Sequence, residues 1–237
     1  MRKLEGSRFL LISVIFFLSA IETKGQQPVQ RFDPSSFSKE DSLQLVKLYG
    51  RNKEILPQFA LSTLIALSYF PELADTHIRF VFKNAYSPLR TKPNTWGIWR
   101  KGSKRSYTVT ISDSSQFKLA FILLPFMGFN ARIGVIGHEL SHVADFSAMN
   151  ILQLAASGIG HISTRYIDRF EYRTDGICIA HGLGHQLMEW SKFVRERLHT
   201  KNWEGSDNIN KPVMERERYM NPATIQARMD NLAMYKK

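Results

Sequence analysis

The sequence predicts an α+β fold. Along the chain, the segment that forms a small sheet is preceded by one group of helices and followed by another. Residues 77–83 and 106–112 alternate apolar and polar side chains, which is the pattern of half-buried strands. The segments before residue 77 and after residue 112 lack this alternation. They carry residue types that cap helices at the N-terminus and end them at the C-terminus. Within residues 135–144 the only charged side chain is Glu139, which predicts a helix buried on most sides.

The segment 1–25 predicts a signal peptide. Basic residues precede an apolar run at residues 9–21, and a polar segment follows it. The run is shorter than the roughly 20 residues that a membrane-spanning helix needs, but it suits the apolar region of a signal peptide. We therefore expect an exported protein that is periplasmic, cell-surface or secreted, with cleavage after Ala20 or Gly25. An uncleaved N-terminal anchor is the alternative.

Residues 26–237 are predicted to form a single catalytic domain whose first part, residues 26–75, is a helical cap. Ser38 is a residue type that caps a helix N-terminus, and Gly50 is the type that ends a helix. A second, strongly apolar helix is predicted over residues 55–70, directly before a proline.

The middle of the chain predicts a hairpin and a covered connection. Residues 96–100, followed by a turn at 101–104, predict a strand that pairs with residues 106–112. The apolar segment 117–129 is interrupted by a proline and a glycine. We interpret it as a covered connection or a wall of the substrate pocket, and not as a membrane span.

The C-terminal part of the chain predicts further helices. Residues 177–198 are expected to form one long amphipathic helix, and a last helix that starts at Asn221 and Pro222 is expected to run to the C-terminus. Cys178 is the only cysteine, so no intramolecular disulfide is possible, and we expect a small buried side chain. A single cysteine suits a bacterial periplasm or cell surface better than a disulfide-rich secreted module.

The strongest functional signal is the pentapeptide His138-Glu139-Leu140-Ser141-His142. Residues four apart share one face of a helix, so both imidazoles can reach the same ion. Glu139 then lies beside that ion, where a carboxylate can take a proton from a water whose pKa the metal lowers to about 7. The pattern predicts one Zn²⁺ per chain.

A catalytic zinc usually has three protein ligands, so a third must be found. The metzincin pattern would place a glycine and a histidine three and six residues after His142, but Asp145 and Ala148 occupy those positions. Glu171 and Asp175 lie four residues apart on a later predicted helix and form the pattern E-x-x-x-D.

These two motifs resemble those of the gluzincin branch of zinc metallopeptidases. The resemblance implies that Glu171 is the third ligand, that Asp175 orients a liganding histidine, and that Glu139 activates the water and later protonates the leaving amine. It implies an enzyme that cleaves peptide or protein substrates. Together with the predicted signal peptide and the single cysteine, this indicates a bacterial exported enzyme. It also implies a zincin-like fold, with the sheet packed on the metal-binding helices and one sheet edge paired with the substrate. Residues 106–112 are the candidate for that edge.

Other polar residues near the motifs are weaker candidates. His181 and His185 lie too far from Glu171 along a continuous helix to share its metal, and we expect His185 to be a packed side chain. Asp145, one turn past His142, is a weak competitor for the third ligand position. Three residues are candidates for the donor that stabilises the oxyanion, and spacing does not choose between them: His161, Tyr166 and Tyr172.

The net charge of +11 favours anionic partners, such as acidic lipid headgroups, cell-wall polymers or acidic proteins at an envelope surface. Nucleic acid is not expected, because the basic residues are dispersed and no nucleic-acid motif accompanies them. Three alternatives to the peptidase remain: a zinc hydrolase of another amide or ester, a non-catalytic zinc-binding envelope protein, and an export-pathway protein with a degenerate motif. No pattern specifies the substrate sequence or the oligomeric state.

Overall fold

The computed structural model describes residues 26–100, 104–115, 117–206 and 217–236. The predicted signal peptide and most of the turn predicted at 101–104 lie outside these residues. The fold is α+β with a small mixed four-stranded sheet, so the predicted fold class is confirmed at this level.

The helices of the described residues are α1 (Lys39–Tyr49), α2 (Ala60–Ser68), α3 (Phe129–Ala148), α4 (Ile151–Gly160), α5 (Thr164–Cys178), α6 (Gly184–Leu198) and α7 (Pro222–Asp230). The strands are β1 (Lys53–Glu54), β2 (His77–Phe82), β3 (Leu89–Pro93) and β4 (Ser106–Ile111). Short 3₁₀ turns occupy several of the connections.

The N-terminal helices begin and end for local reasons. In α1 the Ser38 hydroxyl accepts from the backbone of Asp41 while the Asp41 carboxylate accepts from the backbone of Ser38, and the helix ends at Gly50 as predicted. The second helix is shorter than the predicted 55–70, because Pro57 starts a separate 3₁₀ turn before α2. Almost all of α2 is buried and packs against α3, whereas no residue of α1 is fully buried.

The strand order in the sheet is β1-β2-β4-β3, with β1, β2 and β4 parallel and β3 antiparallel to β4. The prediction that residues 106–112 form a sheet edge is therefore wrong, since β4 lies between two strands and the edge strands among the described residues are β1 and β3. The alternation of residue types in 106–112 suggested a strand with one exposed face. In the structure Thr110 is buried along with the apolar residues of β4, as expected for an interior strand.

The hairpin exists, but its first strand is β3 and not the predicted 96–100. Residues 95–97 form a 3₁₀ turn. The buried guanidinium of Arg105 donates to the carbonyl oxygens of Ile98 and Arg100, at 3.1 and 2.9 Å. These carbonyls are therefore bonded to a side chain and do not form a β ladder.

The predicted continuous helix 177–198 is broken between α5 and α6. A π-helical turn spans Ile179–Leu183, and Gly182 has φ of 95°, a conformation that glycine adopts without steric cost. The hydroxyl of Tyr235 bridges the break, because it accepts from the Gly184 amide and donates to the Ile179 carbonyl. The last helix is also shorter than expected, since α7 ends at Asp230.

The helix α3 runs through the centre of the fold and contacts α2, α5, α6 and β3. Gly134 lets α6 approach closely, because a Cβ at this position would lie 2.1 Å from the Gln186 carbonyl oxygen. The segment 117–129 contains two 3₁₀ turns and is only partly covered, because Ile122 and Leu124 are buried while Phe121 and Phe126 are exposed. Within the described residues, no helix is both long and apolar enough to cross a membrane.

Candidate metal centre

Two helices bring three ligand atoms to one point. His138 and His142 lie one turn apart on the same face of α3, and α5 places Glu171 opposite them. The Glu171 Oε2 atom lies 3.1 Å from His138 Nε2 and 3.2 Å from His142 Nε2. All three ligand atoms lie within 4.8 Å of one another, so this group could bind a metal ion.

Asp175 determines which nitrogen of His138 faces the ligand group. Its Oδ1 lies 2.8 Å from His138 Nδ1, and its Oδ2 accepts from the backbone amide of Met220 at 2.7 Å. A carboxylate only accepts hydrogen bonds, so Nδ1 carries the proton. The lone pair of Nε2 is therefore directed to the same point as the Glu171 carboxylate.

Thr174 has the same role for His142. Its hydroxyl donates to the Phe170 carbonyl oxygen at 2.9 Å, so it accepts from His142 Nδ1 at 3.2 Å. Both imidazoles thus present Nε2 to the ligand group. Thr174 was not singled out from the sequence, although it lies three residues after Glu171 and so falls on the same face of α5.

Protons and a metal compete for these ligand atoms. Burial would lower the pKa of His138, but hydrogen bonds to Asp175 and Glu171 raise it to about 10. Burial would likewise raise the pKa of Glu171, but the charge of His142 and hydrogen bonds from both imidazoles hold it well below its usual range. A metal that binds here must displace the shared proton, so its affinity falls as the pH falls.

Glu139 lies beside the ligand group, and a residue of the sheet holds its carboxylate in place. Its carboxylate is buried, and its Oε2 accepts from the Thr91 hydroxyl at 2.7 Å. Thr91 belongs to the edge strand β3, so the sheet edge and the acid are directly connected. No local pattern predicts this contact, because 48 positions separate the two residues.

The ligand group opens into a cleft of about 340 Å³. One wall is apolar and contains Phe146, Ile167 and Phe170. The Phe170 ring is stacked on His142, with 5.0 Å between the ring centroids. Arg90 on the edge strand β3 also lines the cleft. The cleft thus combines an apolar wall with the edge strand β3. The outer side of β3 pairs with no other strand of the described residues.

The oxyanion candidates are in different environments. His161 lines the cleft, and its Nδ1 lies 2.7 Å from the Ser157 carbonyl oxygen. The Tyr166 hydroxyl donates to Ser157 Oγ at 2.9 Å and is therefore already engaged. Tyr172 lines a separate cavity, where the Arg228 guanidinium covers its ring. The structure therefore brings only the first of the three to the cleft.

Tyr219 is a cleft residue that the sequence analysis missed. Its ring centroid lies 5.6 Å from that of His138 and 5.7 Å from that of Trp190. Burial and the charge of Glu171 raise the pKa of Tyr219 well above its usual value. The phenol is therefore neutral and available as a hydrogen-bond donor at physiological pH. No local pattern in the sequence marks this position.

The remaining candidates lie outside the ligand group. Asp145 forms an ion pair with Arg173. His181 lies 2.9 Å from the Glu72 carboxylate, measured from its Nε2 atom. His185 packs against an aromatic ring, as expected for a packed side chain. Cys178 is buried, and burial raises the pKa of its thiol well above the ordinary value.

Comparison with known proteins assigns no family to this site. No protein-family model matches the chain, and no similar curated protein or solved structure is found. The geometry of the three ligands and of Glu139 is therefore the basis for a functional proposal.

Proposed function

We propose that the protein is an exported, single-zinc metallopeptidase of the gluzincin type with a zincin-like fold. One observation supports this most strongly: the buried carboxylate of Glu139 is held beside a convergent group of two imidazoles and one carboxylate. A buried acid of this kind is costly unless a neighbouring charge or a reaction uses it.

The donor set fits zinc. Two imidazole nitrogens and one carboxylate oxygen are a ligand combination of catalytic zinc sites, whereas Ca²⁺ and Mg²⁺ prefer ligand shells made of oxygen. Asp175 and Thr174 fix the ring orientations that such a site requires. A zinc ion held there supplies Lewis-acid chemistry and lowers the pKa of bound water to about 7.

Glu139 is the general base of the proposed reaction. The Thr91 hydroxyl engages its Oε2, so Oε1 is the oxygen that takes a proton from the attacking water. The same carboxyl group then returns the proton to the leaving amine. Tyr219 lines the cleft and is the candidate that stabilises the oxyanion, since its phenol can donate a hydrogen bond. His161 also lines the cleft, but its Nδ1 already donates to the Ser157 carbonyl oxygen, so only an imidazolium would have a second N–H to donate.

The sheet edge and the apolar wall suit a peptide or protein substrate. An extended peptide can pair with the outer side of β3, the strand that carries Thr91. The apolar wall of Phe146, Ile167 and Phe170 can then accept an apolar side chain next to the bond that is cleaved. Neither feature requires nucleic acid as a partner.

Metal analysis and a peptide-library screen on the purified protein test this proposal. We expect about one zinc per chain, and cleavage that a chelator abolishes and added zinc restores. His138→Ala should lose the zinc, whereas His185→Ala, which removes a histidine outside the ligand group, should keep it. Zinc retention in His138→Ala, or zinc-loaded protein that cleaves only esters or non-peptide amides, would contradict the proposal.

Thr91→Val tests the connection between the sheet edge and the base. Valine keeps the shape of the side chain but removes the hydroxyl that orients Glu139. We expect unchanged zinc content and a lower kcat. Unchanged kcat would show that Thr91 does not position the carboxylate.

A further inference from the structure

The helix α4 turns an apolar face to solvent. Leu152, Ala155, Ala156 and Ile159 share one face at spacings of three and four residues, and all four are exposed. Leu152 and Ile159 are 78% and 70% exposed. The opposite face packs on the protein through Leu154. Surface helices normally place their polar side outward, so this arrangement is inverted.

Two further exposed apolar side chains lie at the ends of α4. Ile162, just after the helix, is 88% exposed, and Trp99 is 82% exposed. The Arg105 guanidinium donates to the carbonyl oxygens of Arg100 and Met149, at 2.9 and 2.7 Å. These two bonds hold the loop of Trp99 next to the start of α4.

Exposed basic residues precede and follow this apolar segment along the chain. Residues 150–163 contain no aspartate, glutamate, lysine or arginine. Arg165 and Arg169 follow within two turns on α5 and are exposed, as are Arg100 and Lys104 in the loop at the other end.

The acids nearest to α4 along the chain do not offset this charge. Asp145 is paired with Arg173, and Asp168 is paired with Arg218 at 2.9 Å. The apolar segment of α4 is therefore bracketed along the chain by exposed cationic side chains.

We propose that the exposed face of α4, together with Trp99 and Ile162, docks on an anionic lipid bilayer. A helix of this length spans only about 15 Å, which is too short to cross a membrane but sufficient to lie in its interface. Tryptophan prefers that interface, and arginine and lysine bind acidic headgroups beside it. The exposed Leu43 and Val46 of α1 do not form a comparable surface, since charged residues of both signs surround them in the helix.

The docking would place the candidate metal cleft close to the membrane. His161 follows α4 directly and lines the cleft. If the proposed peptidase activity holds, on which this consequence rests, the substrates are proteins or peptides attached to the same membrane. The docking itself requires no metal and no catalysis.

Vesicle sedimentation with the full-length protein tests the docking. The vesicles contain equal parts of phosphatidylglycerol and phosphatidylcholine, and pure phosphatidylcholine vesicles are the neutral comparison. We expect Leu152→Gln/Ile159→Gln to weaken binding to the anionic vesicles by roughly tenfold or more, because two side chains no longer insert. The matched variant Leu43→Gln/Val46→Gln should bind like the wild type. The N-terminal apolar run is common to all three proteins, so differences between them report α4.

Two local measurements complete the test. Bromine-labelled phosphatidylglycerol should quench tryptophan fluorescence in the wild type and much less in Trp99→Phe. Arg165→Gln/Arg169→Gln should weaken binding to anionic vesicles and leave the weaker binding to neutral vesicles unchanged. Zinc content and the thermal unfolding midpoint verify that each variant is folded.

Equal vesicle binding by Leu152→Gln/Ile159→Gln and the wild type would overturn the proposal. So would a wild-type dimer that this double substitution dissociates without a change in vesicle binding, because the occupant of the surface would then be a second copy of the chain. Tight binding to a protein partner in the absence of any vesicle binding would overturn it as well.

Discussion

The role of Asp175 is tested by Asp175→Asn. The carboxylate accepts two hydrogen bonds, from His138 Nδ1 at 2.8 Å and from the Met220 amide at 2.7 Å. An asparagine side chain has a single acceptor oxygen, so one of the two donors must face its amide group. If that donor is His138, the ring changes tautomer, and the Nε2–H points at the metal position. If it is Met220, a buried amide loses its partner.

The loss of one hydrogen bond to a charged acceptor costs about 1.5–3 kcal/mol. This range corresponds to a decrease in zinc affinity of roughly 10–100-fold, which is the typical effect of removing a partner of a metal-liganding histidine. Glu171→Ala should be more severe, since only two protein ligands remain, and we expect it to lose zinc under the same conditions.

Titration of each purified variant against a competing chelator measures these affinities. Asp145→Asn is the matched control, because it neutralises a nearby acid that pairs with Arg173 and does not touch a ligand. We expect its zinc affinity to stay within about twofold of the wild type. Wild-type affinity in Asp175→Asn would refute the tautomer argument. Zinc loss in Asp175→Asn combined with retention in Glu171→Ala would show that the roles are reversed.

Other predictions concern packing and pH. Gly134→Ala should lower the free energy of unfolding by about 3 kcal/mol, because its Cβ would collide with the Gln186 carbonyl oxygen. Gly158→Ala on α4 has no atom near its Cβ and should raise the free energy of unfolding by about 0.5–1 kcal/mol. Denaturant unfolding measures both changes. Burial opposes the charged form of both Glu72 and His181, but their hydrogen bond lowers the pKa of Glu72 below 4.5 and raises that of His181 above 6.5. The pair therefore stabilises the fold above pH 4.5, and this stabilisation is lost as the pH rises through the raised His181 pKa. Since both groups are partly exposed, Glu72→Gln should cost about 0.5 kcal/mol at pH 6 and less at pH 9, and an equal cost at both values would contradict the pairing.

The features that the sequence predicted well depend on local geometry. Ser38 and Gly50 bound a helix because capping involves only neighbouring residues. His138 and His142 share a face because the helical repeat places residues four apart on one side. The structure brings Glu171 to the same point, where the ligand atoms could hold a metal ion.

The features that the sequence predicted poorly depend on contacts between distant segments. The edge position of β3 follows from strand order, which the alternation of β4 does not encode. Thr91 and Tyr219 reach the cleft through tertiary packing, so neither belongs to a motif. The break at Gly182 escaped prediction because its neighbours fit a helical pattern. A glycine inside such a pattern was the available signal.

We propose that Glu139 acts as a general base beside a bound zinc, and Glu139→Gln separates this role from metal binding. Glutamine keeps the shape of the side chain and can still accept from the Thr91 hydroxyl, but it cannot take a proton from water. Zinc content and peptide cleavage are measured together on the wild type and the variant. We expect about one zinc in both proteins and cleavage that falls by ~10²–10⁴ in the variant. Wild-type cleavage by zinc-loaded Glu139→Gln, or a zinc-loaded wild type that cleaves no peptide, would contradict the proposal.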